Sequence, residues 1–150
     1  MSDPFVRPVE VTAGSFAFCR WSLAVLLWVA LLARQPWLVA VTGAVLLASA
    51  AAGVRRAPMI VLWRLTGDRR WPSRVVVLDA RAMRFAHAFG AAFCGMTWLL
   101  LVAAPRAGLV ALGVLVLLKT VGGFGFCTAS RLYTCAASSG CCGLTRRTDA

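Results

Sequence analysis

"RRAPMIVLWRLTGDRRWPSRVVVLDARAMR", residues Arg55 to Arg84, decides how this chain is organised. Eight of these thirty residues are arginine, and only Asp68 and Asp79 oppose them. On both sides the sequence turns apolar. A strongly basic link between apolar runs is the pattern of a loop held on the cytoplasmic side of a membrane.

Four apolar runs surround the link. They are 16–33 ("FAFCRWSLAVLLWVALLA"), 37–54 ("WLVAVTGAVLLASAAAGV"), 85–104 ("FAHAFGAAFCGMTWLLLVAA") and 107–126 ("AGLVALGVLVLLKTVGGFGF"). Each is close to the roughly 20 residues that a helix needs to cross a bilayer core. None alternates as the strands of a membrane barrel do, so helices are expected. No small-x-small cleavage pattern follows the first run, and "RQPW" leads at once into the second, which argues against a signal peptide. "RQP" and "PR" are tight turns, so runs one and two form one antiparallel hairpin and runs three and four another.

If the link is cytoplasmic, so are both tails. That side then holds thirteen arginines (Arg7, Arg20, the eight of the link, Arg131, Arg146 and Arg147), against Arg34 and Arg106 outside. The fold expected is all-α: one integral membrane domain over residues 1–150, a four-helix bundle made of two tight hairpins, with both termini cytoplasmic. Trp21, Trp37, Trp63, Trp71 and Trp98 fall near the expected interfaces, where indole is favoured. Within the link, Met59 to Trp63 is too short to span. It is read as part of an interfacial helix, or as a segment packed on the end of the bundle. The two hairpins share few residues, and no duplication is inferred from them.

Composition agrees. Hydrophobic residues make up 61% of the 150 and charged residues 14%, more apolar surface than a soluble domain of this size can bury. The net charge of +11 could suggest nucleic acid, but the basic residues lie between apolar runs rather than on a polar face with stacking aromatics. Anionic lipid is the better counter-charge, with Arg55, Arg56, Arg64, Arg69, Arg70 and Arg74 as its contacts. Fifteen arginines to one lysine, with much Ala, Val, Leu and Gly, suggest a GC-rich bacterial genome and hence a bacterial inner membrane.

Small residues should let the helices approach. Ala86, Gly90 and Cys94 are spaced by four in the third run. Gly108, Gly113, Gly122, Gly123 and Gly125 lie in the fourth, and Ala44, Ala48, Ala51 and Ala52 in the second. Two polar residues interrupt the spans. Lys119 is about two turns from the inner end of its run, so it is expected to snorkel, the alternative being that it faces the interior. His87, third in its run, is expected at the interface, with a functional role as the alternative.

Six cysteines remain. Cys94 is mid-span and read as packing, and Cys19 sits at the inner end of run one. Cys127, Cys135, Cys141 and Cys142 follow run four on a reducing face, where structural disulfides are not expected. Their C-x7-C-x5-CC spacing does not match the short pairs of zinc sites, and no metal or cofactor is expected. If the helix continues past Phe126, then Cys127, Arg131 and Cys135 share one face, and a cation one turn away favours a thiolate. Eight helical residues separate the two sulfurs by about 12 Å, too far to pair without a fold-back.

"RFAHAFG" at the start of run three and "FGFC…RLY" at the end of run four resemble a bacterial membrane family, domain of unknown function 4395, over most of the chain from Asp3 to Tyr133. The family's closing motif reads F-G-F-C-x-G-C-x-x-Y. Cys127 and Tyr133 match it, while Ala129 and Ser130 stand where its glycine and second cysteine would be. The resemblance implies the architecture and supplies no reaction. A C-x-x-C at a helix end implies a dithiol that cycles with a thioredoxin-like or sulfur-transfer partner. Here Cys127 would be a monothiol nucleophile unless Cys135 resolves it, with Arg131 stabilising the thiolate. The competing expectation is an accessory membrane subunit without chemistry, binding lipid or a partner through its link. A small-solute carrier is a third, held back by the scarcity of charged midplane positions.

Overall fold

The computed structural model describes residues 8–67, 70–71 and 73–124. It is mostly helical, but it also contains two strands. Strand β1 (Pro8–Thr12) leads into α1 (Ala13–Leu32), and a short turn joins α1 to α2 (Pro36–Ala52). A 3-10 turn (Val54–Arg56) and helix α3 (Pro58–Thr66) follow. Strand β2 (Val75–Asp79) then leads into α4 (Ala80–Ala103) and α5 (Pro105–Gly123). Helices α1, α4 and α5 are long and apolar enough to cross a membrane. Helix α2 is equally apolar but only 17 residues long.

The expectation of an all-α fold is corrected by β1 and β2, which pair antiparallel with Glu10 opposite Val77. The β-branched residues Val9 and Val11, and the run Val75 to Val77, suit a pleated ladder. This pairing ties the starts of α1 and α4 to one end of the molecule. Since both hairpins turn tightly, α2 and α5 also finish there.

Local chemistry sets the boundaries. Thr12 caps α1, accepting from the Ser15 N–H at 3.4 Å, and Asp79 caps α4, accepting from the Arg81 N–H at 2.9 Å. Helices α2, α3 and α5 each open on proline, whose missing N–H costs nothing in a first turn. Helix α2 stops at Gly53, whose φ of +81° suits a residue without Cβ.

Helix α1 packs on α2, α3 and α5, and α4 packs on α2 and α5. The Ala86, Gly90 and Cys94 face of α4 is buried, as its spacing predicts. Between α2 and α4, a Cβ on Gly43 would stand 3.0 Å from Cys94 Cβ. The expected alanine face of α2 is corrected: Ala44, Ala48, Ala51 and Ala52 are exposed, and Val39, Thr42, Leu46 and Ser49 turn inward. Thr42 and Ser49 donate to the carbonyls of Leu38 and Val45, at 2.8 and 2.7 Å. Their hydroxyls are thereby satisfied inside, while the alanine methyls lie on the outer, apolar face.

The two halves repeat in structure, though not in residues. Adding 67 to a residue number carries Glu10 onto Val77, its own ladder partner, and cap Thr12 onto cap Asp79. The same shift carries the buried Ser15, Cys19, Leu23, Leu27 and Ala30 of α1 onto the buried Ala82, Ala86, Gly90, Cys94 and Thr97 of α4. Counted from their first prolines, the buried Val39 and Leu46 of α2 correspond to the buried Gly108 and Leu115 of α5. The unit is strand, helix, tight turn, helix, used twice about an approximate two-fold axis.

Candidate functional sites

The cysteine constellation lies outside the described residues, with Cys127, Arg131 and Cys135 together with Cys141 and Cys142. The approach to it is described. Phe124, the last described residue, meets the Trp21 ring edge-on at 5.1 Å. Arg20 of α1 donates to the Gly123 carbonyl at the end of α5, and its guanidinium lies 5.1 Å from the centre of the Phe16 ring. A cation at a helix C-terminus meets unpaired carbonyls and the negative end of the dipole. Arg84 treats α2 in the same way, donating to the Ala51 carbonyl at 3.4 Å. Two basic residues close to the apolar spans are thus accounted for by capping.

The titratable side chains that line the helix contacts of the second half are Lys119 and His87. Lys119 lies on the inward stripe of α5 with Leu112, Leu115, Val116 and Gly123. A Cβ on Gly90 would stand 3.1 Å from Lys119 Nζ and 3.2 Å from Leu46 Cδ1. The lysine therefore points between α4 and α2 rather than snorkelling outward. Helix α4 begins at Ala80, which places His87 in its third turn on the buried face, 8% exposed. Its Nδ1 is buried without a hydrogen-bond partner among the described residues. The first half has Arg20, Leu23, Leu27 and Ala50 at the positions equivalent to His87, Gly90, Cys94 and Lys119. Glycine replacing leucine makes the room that the lysine side chain takes.

The link face holds the second place of interest. Beside β1, the 3-10 turn and α3 lies a cavity of about 290 Å³, whose wall includes Glu10, Thr12, Ser15, Arg55 and Arg64, with Ile60 beneath. Arg55 and Arg64 were named by charge alone. Glu10 was not, because it lies more than forty residues away in sequence and joins them only through β1. Its one available signal was being the single glutamate in a chain of net charge +11. Arg56, Arg70 and Arg74 are exposed nearby but do not line the cavity, and Arg69 lies outside the described residues.

Helix α3 is the short helix expected in the link, longer at both ends than Met59 to Trp63. One side of it packs on the bundle, as one of the two expectations had it. Ile60 is buried, and Trp63 packs on Phe18 of α1 at 5.0 Å and on Trp71 at 6.2 Å. Leu62 and Leu65 are exposed, a face suited to lipid.

The class is that of a small, mostly helical protein with three helices long and apolar enough to cross a membrane and one shorter apolar helix, consistent with an integral membrane protein. Over residues 16–137 the chain matches the family described as Domain of unknown function (DUF4395), and it belongs to that family. No curated protein and no solved structure matches it.

Proposed function

We propose that this is a bacterial inner-membrane protein of four crossings whose cytoplasmic link face binds anionic lipid or the acidic surface of a partner. One observation carries the reading. The pairing of β1 with β2 gathers the link arginines on one end and turns two of them, Arg55 and Arg64, onto a common cavity. Helix α2 serves as the fourth crossing, its 17 residues giving about 25 Å, at the short end of what a bilayer requires. A juxtamembrane arginine contributes about 1 kcal/mol of attraction to an anionic leaflet, suppressed by salt. Thermal stability of the purified chain in phosphatidylglycerol bicelles, against phosphatidylcholine alone, tests it. Stabilisation should fade with salt and shrink when Arg55, Arg56, Arg70 and Arg74 are changed to Gln. Equal stability in both lipids would overturn the reading.

A second reading is favoured by the anchoring of Phe124 on Trp21, which brings the chain to within three residues of Cys127 at the same end. Cys127 would be a thiol nucleophile, Arg131 its thiolate stabiliser and Cys135 its resolving group, serving a thioredoxin-like or sulfur-transfer partner. Alkylation of single-cysteine variants over a pH series tests it: Cys127 should react near neutral pH, ahead of Cys141. Uniformly slow thiols would end it.

A further inference from the structure

We propose that the cavity beside β1 and α3 is a binding site for one phospholipid headgroup that carries both a phosphate and a primary ammonium. Arg55 and Arg64 would hold the phosphate and Glu10 the ammonium. The inference rests on the membrane reading above and adds a lipid class to it.

The charge pattern argues for a ligand of two signs. A site for a simple anion would exclude a carboxylate, and a site for a cation would exclude two guanidinium groups. All three line one cavity. No salt bridge joins Glu10 to either arginine among the described residues, so the opposite charges face the space without neutralising each other. Helix α1 begins at the same wall, at Thr12 and Ala13, and the positive end of its dipole adds to the phosphate side.

Size and surroundings argue for a lipid headgroup. At about 30 Å³ per water, about 290 Å³ has room for a headgroup, and the charged lining does not suit an acyl chain. The chains would have to lie outside, and the surface there is apolar: Leu65, next to Arg64, is 75% exposed, and Val75, in the cavity wall, is 60% exposed. Trp63, beside Arg64 on α3, stacks on Trp71, and indole favours a bilayer interface.

The test uses the purified full chain in bicelles of phosphatidylethanolamine, phosphatidylcholine or phosphatidylglycerol, reading co-purified lipid by mass spectrometry and thermal stability in parallel. Phosphatidylethanolamine should be retained over phosphatidylcholine, whose trimethylated nitrogen cannot donate to a carboxylate. Glu10→Gln should reduce that preference about tenfold, the loss of one charge-assisted hydrogen bond, and leave phosphatidylglycerol binding intact. Arg55→Gln with Arg64→Gln should lower retention of all three, and Arg64→Lys should restore part of it. Stability of Glu10→Gln in detergent alone shows that the fold is kept. Equal retention of phosphatidylethanolamine and phosphatidylcholine by the unaltered chain would overturn the proposal, even if phosphatidylglycerol still stabilises it. Stabilisation by soluble phosphoethanolamine without any lipid preference would overturn it too.

Discussion

Gly90 and Lys119 show how one residue makes room for another. In the first half, Leu23 occupies the place of Gly90 and Ala50 that of Lys119, and the interior is closed by ordinary apolar packing. In the second half the missing side chain admits an ammonium group. Gly90→Ala should be tolerated, since the new Cβ meets only the flexible ends of Lys119 and Leu46. Gly90→Leu should destabilise by about 1–3 kcal/mol through overpacking. Adding Lys119→Ala, which copies the first half, should recover most of that loss, read as non-additivity in thermal unfolding. Gly53 gives an independent check. Its φ of +81° is a conformation that other residues rarely adopt, so Gly53→Ala should cost about 1–3 kcal/mol in the same assay. Lys119 and His87 stand out in the sequence alone, because a polar side chain in an apolar run is conspicuous. It could not show that Lys119 turns inward, because that depends on a glycine of another helix.

At the scale of elements, the spans were legible because apolar runs of bilayer length leave few alternatives. The strands were not. Val75 to Leu78 lies in a link whose arginines dominate its reading, and its partner β1 lies on the far side of two helices. The repeat was hidden for a related reason: it preserves burial rather than identity, so Cys19 answers to Ala86 and Leu27 to Cys94. Replacing the six native cysteines and introducing Val9→Cys with Leu78→Cys should give a rapid cross-link between paired positions, visible as a mobility shift on a gel after cleavage in the α1–α2 turn. Failure to cross-link would remove the sheet. Glycine positions test the helix contacts. A Cβ on Gly108 would lie 2.5 Å from the Leu101 backbone, at the turn between α4 and α5, whereas nothing stands within 4 Å at Gly113 or Gly122. Gly108→Ala should therefore cost about 1–3 kcal/mol, while Gly113→Ala and Gly122→Ala should be neutral or stabilise by up to about 1 kcal/mol. Unfolding of the three variants side by side decides this.

For the whole molecule, the central claim is one of direction. Pairing of β1 with β2 places the starts of α1 and α4, the ends of α2 and α5, and the link at one end, while Arg34 and Arg106 mark the other. Much of the candidate lipid site follows from that arrangement. Arg55 and Arg64 were legible as a charged link, but Glu10 became part of the site only when the sheet brought the first strand across. The most direct measurement is labelling with a membrane-impermeant maleimide, in intact cells and in inverted vesicles. Gln35→Cys, in the α1–α2 turn, and Thr66→Cys, at the end of α3, would be placed singly in the cysteine-free chain; both positions are exposed. The account predicts labelling of Gln35→Cys from outside and of Thr66→Cys only from the cytoplasmic side. Labelling of both from the same side, or of Thr66→Cys in intact cells, would contradict it.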